Sequence, residues 1–137
     1  MFGVTRIGIH PKSLKRFRER VRTLTARERG RSIGQIIEEL NRYVRGWWLY
    51  YRIGGAKTII EEINNWILRR LRAYMWKQWK LPRTRIRELK CRGIRHHWAV
   101  MIGNTRKGAW RLSKHGQIIH ALPDKYFTAQ LGLSLLG

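Results

Sequence analysis

Residues 30–51 read GRSIGQIIEELNRYVRGWWLYY, and their pattern decides the fold. Ser32 with Gln35 forms a capping box, in which each side chain bonds the other residue's backbone N–H and so opens a helix. From there Ile33, Ile37, Leu40, Val44, Trp47 and Tyr51 recur at alternating steps of four and three. That spacing is one apolar seam on a helix of 3.6 residues per turn. Gly46 interrupts it, at a cost of about 1 kcal/mol relative to alanine in a helix interior. A close contact with another helix at Gly46 is the expected compensation.

The same reading extends outward in both directions. Upstream, Pro11 and Ser13 precede Leu14, Phe17, Val21 and Leu24, with Lys15, Arg16, Arg18, Arg20 and Arg22 between them. This predicts a basic amphipathic helix that ends at Gly30. Downstream, Gly54 and Gly55 close the second helix, and Thr58 with Glu61 offers another capping box. The third seam is Ile60, Ile63, Ile67, Leu71, Tyr74 and Met75, and it stops before Pro82. Arg83 to Arg92 predicts a short helix anchored by Ile86 and Leu89. Trp98 to Ile102 fits either a buried strand or a buried helical turn, which periodicity does not separate. Gly103, Asn104 and Gly108 mark loop, and Pro123 with Asp124 starts a last helix on Tyr126, Phe127 and Leu131. The expected fold is mostly α: a small bundle of three main helices with shorter C-terminal helices and loops.

Composition narrows the chemistry. The chain has 137 residues, 30 Lys or Arg against 8 Asp or Glu, and a net charge of +22. Its length suits one domain, and 43% hydrophobic residues can close a core. The charge is patterned: residues 1–31 hold 10 basic and 2 acidic side chains, and residues 69–95 hold 11 and 1, so these blocks carry 18 of the 22 charges. Such blocks draw a chain toward polyanions, chiefly nucleic acid. No run reaches the roughly 18–20 apolar residues of a membrane span, and Met1 to His10 lacks a secretory apolar run. A cytoplasmic protein with no membrane partner is expected.

Eight carboxylates leave little from which to build a two-metal site. Cys91 stands alone, which excludes an internal disulfide and a cysteine-built zinc framework. Cys91, His96 and His97 lack a fourth ligand, and His10, His115 and His120 have no neighbour that suggests catalysis. Gly54 and Gly55 are not followed by the Gly-Lys-Ser/Thr element of a phosphate loop. The pairs Glu38, Glu39 and Glu61, Glu62 open no active site. No enzyme activity, metal or cofactor is expected.

Nucleic-acid binding asks for cations on phosphates and for aromatic or guanidinium planes on unpaired bases. On the third helix Trp76 falls opposite the apolar seam and shares that side with Arg69, Arg72 and Lys80. Two readings stand: Trp76 packs against a neighbouring segment, or it stacks on a base within a surface over Arg69, Arg72, Trp76 and Lys80. Arg83 and Arg85 extend the same basic block.

The string PKSLKRFRERVR (Pro11–Arg22), together with GRSIGQIIEELNRYVRGWWLYYRIG from Gly30, resembles the maturase-specific region of group II intron reverse transcriptases, also called domain X or the thumb. The likeness runs from about Ile9 through Trp66 and Arg69, Arg70, Leu71 to Gly108, Ala109, Trp110, Arg111 and the Tyr126–Leu133 segment. The resemblance implies a helical thumb that grips intron RNA. In that family the palm and fingers precede this region and carry a Tyr-x-Asp-Asp motif, which this sequence lacks, so neither polymerase nor endonuclease activity carries over. Phe2 to Ile9 resemble the end of the last polymerase segment. The expected organisation is therefore residues 1–11 as the remnant of that segment and residues 12–137 as the RNA-binding domain. Lys12, Lys15, Arg16, Arg18 and Arg22 match the family's first basic helix. Arg45 sits in the RGW motif, where it either meets RNA or is buried as a packing anchor. The implied function is to clamp and stabilise structured group II intron RNA and assist splicing, within a cytoplasmic ribonucleoprotein. The alternative is a module that docks on separately encoded reverse-transcriptase palm and fingers.

Overall fold

The three long seams become three long helices. A computed structural model describes residues 4–5, 8–9, 11–26, 31–51 and 57–136, with α1 at Pro11–Leu24, α2 at Ile33–Tyr51 and α3 at Lys57–Gln78. Phe17, Val21 and Leu24 of α1 are buried, and its cations face outward. The Ser32 box forms as read: Gln35 N donates to Ser32 Oγ at 3.3 Å, and Ser32 N donates to Gln35 Oε1 at 3.2 Å. The second box does not, because α3 begins at Lys57 and so holds Thr58 inside its first turn. α1 ends at Leu24, six residues before the Gly30 expected to close it, and Thr25 and Ala26 are already outside the helix. Gly30, Gly54 and Gly55 themselves lie outside the described residues. Of residues 1–11, the structure describes Pro11, already in α1, and a short antiparallel pair, β1 (Val4–Thr5) and β2 (Gly8–Ile9), with Val4 opposite Ile9. The rest of that expected remnant lies outside the described residues.

α1 and α2 pack antiparallel. The Phe17 ring lies 4.4 Å from that of Trp47 and 5.7 Å from that of Tyr43, while Leu24, at the other end of α1, shares a groove with Glu39. α3 is the central element, buried on more than its seam: Leu68, Ala73 and Trp76 are also inside, as is Trp79 just past its end. The reason is the C-terminal third of the chain, which covers the side opposite the seam. It comprises α4 (Pro82–Cys91), α5 (His96–Gly103), α6 (Ala109–Leu112), α7 (Gly116–Ala121) and a π-helical turn at Tyr126–Gln130. The Trp98–Ile102 stretch is thus helical.

Local chemistry places these short helices. Pro82 occupies the first turn of α4, where its missing N–H costs nothing. Gly93, at φ 92°, ends that helix: Ile94 N donates to Leu89 O at 3.0 Å and Gly93 N to Lys90 O at 3.1 Å, which is a Schellman motif. Leu89 and Ile94, the positions whose apolar contact usually accompanies such a motif, are both buried. Gly103 lets α4 and α5 touch, since a Cβ there would lie 2.6 Å from Ile86 Cγ1 and 3.4 Å from Pro82 O. Gly46, where such a contact was expected, has none of the described residues within 4 Å of a Cβ position. The close approach belongs to the glycine ending a short helix, and the one inside α2 is exposed and meets no other described residue.

Gly132, at φ 77°, turns the chain out of the π-helical turn into an extended run that two asparagines hold. Asn41 on α2 donates to Gly132 O (2.8 Å) and accepts from Ser134 N (2.7 Å). Asn64 on α3 donates to Leu136 O and accepts from Leu136 N, both at 2.9 Å. Leu133 and Leu136 are thereby buried in the core.

Candidate nucleic-acid interface

The second basic block divides into inward and outward arginines. Arg69 lays its guanidinium 3.7 Å from the Trp110 ring centroid and donates to Ser113 Oγ and Trp110 O, each at 2.9 Å. Arg70 bridges to the end of α1, donating to Thr25 Oγ1 at 3.1 Å and Arg22 O at 3.2 Å. Burial first, and the nearby Arg22 charge second, hold the Arg70 pKa below its ordinary value. Arg72 is only 6% exposed; it donates to Leu122 O at 2.7 Å and to Asp124 Oδ1 at 2.6 Å. Arg85 lies over the Trp76 ring, 4.5 Å from its centroid, and donates to Trp76 O at 3.3 and 3.2 Å. Arg92 pairs with Glu88 and reaches the rings of Trp79 (4.9 Å) and Tyr126 (5.3 Å).

These five side chains tie α3 and α4 to their neighbours. A guanidinium can do so because its planar fork satisfies carbonyls while its face lies on an aromatic ring. The surface expected over Arg69, Arg72, Trp76 and Lys80 is accordingly not assembled. Trp76 is 1% exposed, so it packs and offers no face to a base. Arg72 is buried, Arg69 and Arg85 are engaged within the fold, and Lys80 alone of the four stands open to solvent. The helical wheel correctly put Trp76 opposite the seam, but that second side is core.

The outward cations lie elsewhere. α1 exposes Lys12, Lys15, Arg16, Arg18, Arg20 and Arg22 against a single carboxylate, Glu19. Arg22 also lies 5.5 Å from the Trp66 ring centroid. Arg45 is exposed, which removes the reading of it as a buried anchor. Around the start of α4, Lys80 and Arg83 are exposed, followed by Arg87 and Lys90. Arg87 and Lys90 were not singled out from the sequence, although with Arg83 they recur at steps of four and three, the signature of one helical face. Arg42 was likewise not singled out, and Arg20 was read only as one of the cations of the first helix. They line an open groove of about 630 Å³ between α1 and α2, together with Thr23, Leu24, Glu39 and Tyr43.

Internal pairing leaves this charge largely intact, since 8 carboxylates face 30 Lys and Arg. Pairs among the described residues include Arg31 with Glu39 at 2.6 Å, Arg72 with Asp124, and Arg87 and Arg92 with Glu88. No group of three or more His, Cys, Asp or Glu among the described residues is placed to hold a metal ion. No described helix is long and apolar enough to cross a membrane.

Compared with known families, residues 14–93 match the model of the group II intron, maturase-specific domain. No match is found among curated proteins.

Proposed function

The chain belongs to the group II intron maturase-specific domain family, and from that premise we propose that it binds structured intron RNA electrostatically and assists its splicing. It performs no covalent chemistry of its own in this reading. Lys12, Lys15, Arg16, Arg18 and Arg22 of α1, with Arg45, Lys80 and Arg83, neutralise phosphates and release their counterions. Arg69, Arg72, Arg85 and Trp76 have a different task, which is to hold the bundle that presents those cations.

The observation that carries this reading is the outward face of α1, with six exposed cations and one carboxylate on 14 residues. A solvated helix needs no such imbalance, and like charges at helical spacing repel one another. A polyanion relieves that repulsion.

The test is competition binding at physiological salt, with a structured group II intron RNA against random RNA of equal length. Preference for the intron RNA is expected. Affinity should fall steeply with salt, by about 10³–10⁵-fold between 50 and 200 mM for 6–10 phosphate contacts. Changing Lys12, Lys15, Arg16 and Arg18 to Gln should lower the log–log slope by about one for each contact removed. A flat salt dependence, or equal affinity for both RNAs, overturns the reading.

A further inference from the structure

Gly46 sits inside α2 on a face open to solvent. Glycine weakens an exposed helix interior relative to alanine, and nothing in the described structure lies within 4 Å of where its Cβ would be. No packing contact among the described residues therefore requires the missing atom. The helical period places Arg42 and Leu49, at i−4 and i+3, on the same face as Gly46, and Arg45 follows about 100° round the helix, beside both of them. Both arginines are exposed, and Leu49 is 61% exposed, the most open of the large hydrophobic residues described.

The neighbouring helix completes the surface. Arg20 lines the α1–α2 groove together with Arg42. The two helices run antiparallel, so Arg16, one turn before Arg20, lies in the same direction along the pair as Gly46, one turn after Arg42. Among the described residues, the exposed Gly46 thus has Arg16 and Arg20 of α1 on one side and Arg42 and Arg45 of α2 on the other, next to an exposed apolar side chain. A sugar-phosphate strand matches that arrangement: it alternates anionic groups with ribose rings whose carbon edges are apolar. A peptide partner would match it only by carrying several acidic side chains at the same spacing, whereas every nucleotide supplies its own phosphate.

We propose that Gly46 is a seat for the RNA backbone, where a ribose lies against α2 at Gly46 and Leu49 while the flanking phosphates meet the four arginines. This rests on the RNA-binding reading above and specifies where one strand comes closest. The missing Cβ is then a specificity for contact distance, kept at the expense of helix stability.

The experiment separates stability from binding with Gly46→Ala in the full chain. The urea midpoint should rise, because alanine is the better helix former at a site with free space. Affinity for a structured group II intron RNA should fall by about tenfold, equivalent to 1.4 kcal/mol, and further for Gly46→Leu. Gly34→Ala, about three turns away on the same helix, should leave RNA affinity unchanged. An unchanged affinity for Gly46→Ala beside normal binding by the parent chain overturns the seat alone. A lowered urea midpoint overturns it too, since the fold itself would then need the glycine. Absence of RNA binding by the parent chain overturns the seat and the broader reading together.

Discussion

Replacing Arg72 with alanine should unfold the protein more readily without weakening its hold on RNA once folded. The magnitude follows from what the guanidinium holds. The Leu122 carbonyl loses its 2.7 Å donor, and an unmet buried acceptor costs about 1–3 kcal/mol. The ion pair adds little, because the Asp124 side chain is 61% exposed and a pair with a solvated partner is worth at most about 1 kcal/mol. The guanidinium lies 6.0 Å from the Phe127 ring centroid, so truncating this buried side chain also leaves a void, bringing the sum to about 2–4 kcal/mol. With a urea slope of about 2 kcal/mol per M, the midpoint should drop by about 1–2 M. Asp124→Asn is the control, with a loss below about 1 kcal/mol. Chemical denaturation gives the first quantity, and RNA binding under fully native conditions gives the second. A native midpoint together with a tenfold loss of affinity would refute the argument, because Arg72 would then be spent on RNA.

Two further outcomes test the packing. Gly103→Ala places a Cβ 2.6 Å from Ile86 Cγ1 and 3.3 Å from the Ile86 backbone N, so it should cost about 1–3 kcal/mol by overpacking; a urea midpoint at or above that of the parent would show that α4 and α5 can separate freely. Asn41→Ala and Asn64→Ala each remove two hydrogen bonds to the extended run, at about 1–2 kcal/mol per variant. Amide exchange at residues 132–136 should accelerate in both, and unchanged protection there would mean that Leu133 and Leu136 alone hold the segment.

The long helices were legible because each carries a full seam over several turns, and the Ser32–Gln35 box forms with both bonds in place. The Trp98–Ile102 run was not, since five apolar residues satisfy either backbone period. α6, only four residues from Ala109 to Leu112, has too few positions for any period; Arg69, reaching it from α3, is what fixes it. The basic block at 69–95 was visible as charge but not as direction. Nothing local distinguishes Arg72, inside, from Arg83, outside, because the difference is made by residues 109–136 folding back across α3. The exposed face of α1 was legible for the opposite reason: its apolar positions are few and regular, so its cations have only one side to occupy.

The asparagine grip on the extended run also sets a timetable for synthesis. Asn64 finds its partner 72 residues later, and Asn41 waits for 91. At about 5–20 residues per second on the ribosome, the shorter wait alone lasts roughly 4–14 s. Throughout that interval the places that Leu133 and Leu136 will occupy stay open on a nascent, highly cationic chain. α2 and α3, though complete well before the end of translation, are therefore among the last parts to be locked, and a chain stalled before residue 132 leaves the ribosome with these two helices unfastened.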